Sequence, residues 1–152
     1  MSSTEARLAD DEAAIRRLAA LYARAMDRNE PALLEEIFTA DAVIKGPGFV
    51  MQGHAQICAI PGMLKGMYSR TLHQIHQQTV TVSGDGAEAE TYCSANHLTA
   101  PGDGLASNLV WAMRYQDRLQ RENGRWRFRH RAVLIDWTET RPAQFTPPPA
   151  PG

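Results

Sequence analysis

From about residue 70 onward the chain is divided by tight-turn signals into long stretches of alternating character. The dividers are Ser83-Gly84-Asp85-Gly86, Pro101-Gly102-Asp103-Gly104 and Glu122-Asn123-Gly124. Asp-Gly and Asn-Gly supply the positive φ angles that tight hairpins require. They leave four β runs, at about 71–83, 87–100, 105–120 and 125–138, joined by connections so short that neighbouring runs must lie antiparallel. Half of the chain is therefore a meander, and the rest must cover one of its faces.

The first 69 residues supply that cover. Asp10 and Asp11 carry N-cap chemistry, and Ile15, Leu18, Tyr22 and Met26 recur at spacings of three and four, which predicts a helix over about 11–29. Pro31 suits the first turn of a short second helix holding Leu33, Leu34, Ile37 and Phe38. A strand at 42–45 and the turn Gly46-Pro47-Gly48 lead into Phe49-Val50-Met51, and a third helix over about 53–67 is interrupted or kinked at Pro61-Gly62. The expected architecture is α+β: three N-terminal helices packed on one face of a curved, mainly antiparallel sheet, forming a cone-shaped barrel with a pocket inside. Residues 1–140 form one domain, and the Pro-rich segment 141–152 is an extended or disordered tail.

Composition narrows the function classes. A chain of 152 residues with 16 Lys+Arg against 17 Asp+Glu has a formal charge of -1, without the basic footprint of a nucleic-acid binder. No apolar run approaches a membrane span, and the polar start is unlike a signal peptide, so the expectation is a cytoplasmic protein without a membrane partner. Cys58 and Cys93 belong to no CxxC or nucleophile motif and read as free thiols.

Strand parity selects the candidate site residues. In the run 87–100 the odd positions are small or apolar and include Cys93, Ala95 and His97, whereas Glu88 and Glu90 share the other face, so His97 points inward. In the next run Leu109, Trp111, Met113 and Tyr115 form the apolar parity and leave Asn108 on the opposite side unless a bulge intervenes. In the run 71–82, His73 shares a face with Thr71, Ile75 and Gln77, and His76 with Leu72, Gln74 and Val80; the two histidines point apart and make a poor metal chelate. Trp111, Met113 and Phe49 suit an apolar pocket, although such residues are more often plain core than substrate wall. His54 and His130 read as bystanders, and Arg127, Arg129 and Arg131 as a solvated or subunit-facing strand surface.

Asp27 stands at the end of the first helix, where the macrodipole disfavours a carboxylate. Spacing leaves two readings: a solvated acid beside Arg24 and Arg28, or a buried acid paired with a strand histidine across the cone.

The segments Tyr22-Ala23-Arg24-Ala25-Met26-Asp27, Phe38-Thr39-Ala40-Asp41-Ala42 and Arg70-Thr71-Leu72-His73 occur here in a familiar order, followed by Gly84-Asp85-Gly86-Ala87, Gly124-Arg125-Trp126-Arg127-Phe128 and Asp136-Trp137. Together, over roughly residues 8–140, they resemble the SnoaL-like branch of the nuclear transport factor 2-like superfamily, which includes scytalone dehydratase, bile-acid dehydratases and hexachlorocyclohexane dehydrochlorinase. The resemblance implies a cone whose pocket holds a His–Asp dyad, with His73 as general base and Asp27 as its partner. It matches His97 to a second pocket histidine and Tyr22 to a tyrosine acid. Met26 stands where scytalone dehydratase has a tyrosine, and no phenol occurs near Lys45 or Gly46. The resemblance further implies catalysis without cofactor or metal and a homo-oligomer, a trimer in preference to a dimer.

The residue types fit proton abstraction. A neutral imidazole accepts a proton near neutral pH, and a carboxylate on its other nitrogen fixes the tautomer and stabilises the imidazolium. The function expected is a cofactor-independent, dehydratase-like lyase acting on a small, largely apolar cyclic or carbonyl substrate. His97, Tyr22 or Asn108 would assist the leaving group, and Trp111, Met113, Phe49 and Met26 would contact the substrate. An isomerase or polyketide-type cyclase using the same dyad, or a non-catalytic small-ligand module, remains open on the same residues.

Overall fold

The computed structural model describes residues 2–99, 102, 104–144, 146 and 150. Helix α1 (Ser3–Arg28) and helix α2 (Pro31–Ile37) are followed by strands β1 (Phe38–Gly46) and β2 (Phe49–Gln52), then the short helices α3 (Gly53–Ile57) and α4 (Ile60–Met67). Four long strands follow: β3 (Arg70–Ser83), β4 (Gly86–Leu98), β5 (Ala106–Glu122) and β6 (Arg125–Ala143). The six strands form one sheet in the order β2-β1-β6-β5-β4-β3, antiparallel except for the β1–β6 pair. Strands β2 and β3 stand at opposite edges, so the sheet is strongly curved without closing into a barrel. The helices pack on its inner side, α1 chiefly against β3 and α2 and α3 against β1. The α+β architecture expected from the sequence is the one observed.

The local differences have physical causes. Helix α1 begins eight residues earlier than Asp11 because Ser2 and Glu5 form a capping box that satisfies its first N–H groups. Asp11 is no cap. It is buried in the helix, where its carboxylate accepts hydrogen bonds from Trp126 Nε1 (2.9 Å) and Arg121 Nη2 (2.8 Å). The third expected helix is two helices, and the break falls at residues 58–59, so that Pro61 sits in the first turn of α4, where a missing N–H costs nothing. Strand β6 runs on to Ala143, so the first three residues assigned to the tail pair with β5 instead. Most of the remaining Pro-rich tail, like Pro101 and Asp103 of the second turn, lies outside the described residues.

Bulges in β3 and β6 reset the strand parities. In β3, residues 76 and 77 both oppose a single position of β4, so Thr71, His73 and Ile75 face inward and, beyond the bulge, Gln78, Val80 and Val82 do. Gln77 is thus not on the face of His73, and Val80 is not on that of His76. In β6 an extra residue at Arg129 and another at Asp136 do the same. Trp126 and Phe128 are buried before the first of these and Arg131 and Val133 after it. Arg131 is accordingly not part of a solvated surface: it is fully buried, whereas Arg129 is exposed and Arg127 reaches the carbonyls of Glu35 and Phe38. Both cysteines are free. Among the described residues no helix is long and apolar enough to cross a membrane.

Candidate active site

Helix α1 ends where Asn29 adopts a left-handed conformation (φ 53°) and its N–H returns to the Ala25 carbonyl. That cap leaves Asp27 in the last turn, facing the start of β3. Arg24 does not neutralise it, because Arg24 pairs with Glu30 instead. Its oxygens are met by β3: His73 donates its backbone N–H to Oδ2 at 2.8 Å, Thr71 donates its hydroxyl to Oδ1 at 3.0 Å, and His73 Nδ1 lies 2.6 Å from Oδ1. Three donors on a carboxylate outweigh an unfavourable helix terminus, and the reading of Asp27 as a solvated acid is overturned. Since the carboxylate accepts, Nδ1 carries the proton, and Nε2 of a neutral His73 is left as a free base. The side chains of His73 and Asp27 are 5% and 16% exposed.

The His73 ring borders a cavity of about 220 Å³ enclosed by α1, α4, β1, β2 and the inner faces of β4, β5 and β6. Tyr22, Met26, Phe49, His97, Trp111 and Met113 all line it, as the sequence suggested. Met51, Met63, Met67 and Tyr115 line it too. The methionines give it a deformable, apolar wall. Larger cavities lie elsewhere on the surface, but they hold neither His73 nor His97, and chemistry is better sought where these two meet.

His97 is held from several sides. Its Nδ1 lies 3.0 Å from the Leu109 carbonyl, and its ring packs against Tyr68 and Trp111, each with centroids 4.8 Å away. It meets the His73 ring edge-on at 6.1 Å. Burial pushes its imidazole below the ordinary value, although the bond to Leu109 opposes the shift. Tyr22 stands 6.5 Å from His73, also edge-on, and burial raises its phenol above the ordinary value, so it remains a hydrogen-bond donor.

Asn108 is the expected site residue that the fold does not bring in. Strand β5 carries no extra residue of its own, so parity keeps Asn108 on the outer face, where it donates to Asn96 Oδ1 and accepts the backbone N–H of His97. It supports the strand that carries His97 and does not line the cavity. His76 also faces outward, against Ser94, and His54 bonds the Phe38 carbonyl. Among the described residues no group of three His, Cys, Asp or Glu side chains is placed to hold a metal ion.

Sequence reasoning missed Thr71, Tyr68 and the Arg131–Asp117 pair. Thr71 was legible as the residue two before His73 on the same face. Asp117 receives two 2.8 Å hydrogen bonds from Arg131, with both side chains fully buried. The guanidinium lies 4.0–4.3 Å from the rings of Tyr115, Phe128 and Tyr22, directly behind the cavity wall.

Residues 7–132 match the family model of the SnoaL-like domain. No curated protein matches the chain. Among solved structures, a type 2 hexachlorocyclohexane dehydrochlorinase (LinA) superposes with a TM-score of 0.83 at 22% identity, covering 96% of this chain and 99% of that one. A provisionally assigned scytalone dehydratase from Novosphingobium aromaticivorans gives 0.77 at 21% identity, covering 90% of each chain. A single-substitution variant of Rv3472, a Mycobacterium tuberculosis protein of unknown function, gives 0.77 at 22%, covering 90% of this chain and 77% of that one. At these identities the likeness is one of fold.

Proposed function

The chain belongs to the SnoaL-like domain family, and from that premise we propose that it is a cofactor-independent lyase of the dehydratase type. The observation that carries the reading is the 2.6 Å contact of Asp27 with His73 Nδ1, which leaves Nε2 basic at the edge of an apolar cavity. Two of the structural neighbours are named for eliminations, a dehydrochlorinase and a provisional dehydratase, which supports the same class.

In this mechanism a small, largely apolar substrate lies against the methionine and aromatic wall with an acidic C–H beside a carbonyl. His73 Nε2 takes that proton, the C–H electron pair moves into the enolate, and Asp27 stabilises the imidazolium without itself becoming protonated. Tyr22 donates to the oxygen on which charge develops. The enolate then expels the hydroxyl on the neighbouring carbon, and His73 returns its proton to it, so that water leaves and the enzyme is restored. In this reading His97 is not the acid: its Nδ1 hydrogen is committed to Leu109, and burial disfavours its charged form.

The test is turnover of cyclic β-hydroxy ketones followed by mass spectrometry, with His73→Gln as the comparison. Loss of water in the wild type, and a fall of about 10²–10⁴-fold in a folded His73→Gln, is the expected outcome. Full activity in that variant would sink the reading. A product of unchanged mass that depends on His73 would reassign the dyad to isomerisation or cyclisation.

A further inference from the structure

We infer that the molecule this cavity accepts carries a hydroxyl group that donates to His97 Nε2, so that the site selects hydroxylated rings over halogenated or alkoxylated rings of the same size. The inference rests on reading the cavity as a substrate site, and it adds what kind of substrate.

The argument begins with the tautomer. A carbonyl oxygen only accepts, so the contact between His97 Nδ1 and the Leu109 carbonyl places the ring hydrogen on Nδ1. Nε2 of the neutral ring is then a lone-pair acceptor. The ring is held in that orientation by the Nδ1 bond to Leu109, with Tyr68 and Trp111 packed against it and the backbone N–H tied to Asn108 Oδ1 at 3.1 Å. Protonation would turn the acceptor into a donor, but burial opposes it, and a charge on His73 opposes it further.

No partner among the described residues meets His97 Nε2, although the residue as a whole is only 2% exposed. Its polar companions on the cavity wall are His73, Tyr22 and Tyr115, and the other lining residues save Trp111 are aliphatic, methionine or phenylalanine. His73 Nε2 is itself an acceptor in the resting site, so the two imidazoles, with centroids 6.1 Å apart, do not satisfy one another. A ligand that fills this space without a donor strips His97 Nε2 of solvent and gives nothing in return. An aliphatic chlorine or a methoxy oxygen turns electron density towards a lone pair. A hydroxyl supplies the missing hydrogen, and its oxygen remains free to accept the proton that His73 returns. The built acceptor therefore distinguishes loss of water from loss of a halide within a shared fold, before any bond breaks.

The experiment is a titration of the wild-type protein, labelled with ¹⁵N-histidine, with cyclohexanol, methoxycyclohexane and chlorocyclohexane. Cyclohexanol is expected to bind about three- to tenfold tighter than the other two, the ordinary worth of one neutral hydrogen bond, and to shift the His97 Nε2 resonance. Equal affinities, no binding of cyclohexanol, or a preference without a shift at that nitrogen overturns the inference. A folded His97→Phe should lose the preference, whereas His97→Gln, which keeps an acceptor, should retain part of it; a preference that persists in His97→Phe is equally fatal. Should that variant not fold, the wild-type comparison decides alone. A protein that prefers cyclohexanol yet dehydrates nothing contradicts the lyase reading and leaves this one standing. His73-dependent dehydration with equal affinities does the reverse.

Discussion

Two carboxylates beside the cavity, Asp117 and Asp27, are each paired with a nitrogen base on a strand. Asp117 and Arg131 form a bidentate pair, both side chains are 0% exposed, and three aromatic rings close over the guanidinium. Burial pushes the Asp117 carboxyl up while Arg131 works against that shift, and a guanidinium keeps its proton under any ordinary condition. Asp27 meets the His73 ring through one nitrogen only, the acid keeps some exposure, and the ring borders an open cavity. The base in the first pair cannot change its charge, and in the second it can. Tyr22 stands between them, with one face over Arg131 and its edge towards His73. The closed pair is sealed behind the cavity wall, and the open pair borders the cavity itself.

Breaking the closed pair should have the largest effect on the fold. Arg131→Ala leaves Asp117 buried without a counter-charge and is expected to cost about 3–5 kcal/mol in urea unfolding. The double replacement Arg131→Met with Asp117→Leu should recover most of that loss, because the desolvation of both charges is relieved together. A single replacement that costs under about 1 kcal/mol would mean that the pair does not hold the wall. The equivalent cut in the open pair is smaller for the fold and larger for chemistry. Asp27→Ala strands three donors of β3 at a partly exposed position, an expected cost of about 1–3 kcal/mol, while turnover should fall nearly as far as in His73→Gln. A folded Asp27→Ala with wild-type turnover would remove the distinction between the two pairs.

The open pair was legible in the sequence, and the closed one was not. Turn signals and alternation carried the meander, and His97 fell on the inner face because β4 runs from Gly86 to Leu98 without a bulge. Asp27 and His73 are separated by 46 positions, and nothing local joins them; they were recognisable through family resemblance, while spacing alone favoured a solvated acid. Arg131 was misplaced because a single extra residue at Arg129 inverts the parity of β6, and a run of alternating arginines gives no hint of it. The same limit operated in β3, where the bulge at 76–77 sorted residues that the sequence left mixed. Asp11 looked like a helix cap because its partners, Arg121 and Trp126, lie more than 100 positions away.

The two regions should also part company in acid. Burial sets His97 below its ordinary imidazole value, so the unfolded chain binds a proton there at a higher pH than the folded chain does. Its contribution is fully present above about pH 6.5 and is lost as the pH falls through the lower folded value. Measured against His97→Gln, the wild type should therefore lose additional stability between about pH 7 and pH 5, by at most about 1.4 kcal/mol for each pH unit. Parallel urea midpoints for the two proteins across that range would show that His97 titrates as though exposed.

The smallest effect separates the cavity from the fold most cleanly. Gly46 of β1 faces Phe49 across the tight connection to β2, and a Cβ added there would lie 2.3 Å from Cε1 and Cζ of the Phe49 ring. The backbone of Gly46 has no positive φ to object to alanine, so the conflict lies entirely with a side chain that can rotate. Phe49 lines the cavity, and a ring displaced into that space narrows it. Gly46→Ala should accordingly leave the urea midpoint within about 0.5 kcal/mol of wild type, as expected of a substitution that disturbs no buried pair, while cyclohexanol affinity falls about two- to fivefold as the cavity narrows. Adding Phe49→Leu to the same chain should restore the affinity by returning the lost space. Unchanged binding in Gly46→Ala would show that the ring escapes outward and that Phe49 is packing, with no part in the wall that a substrate touches.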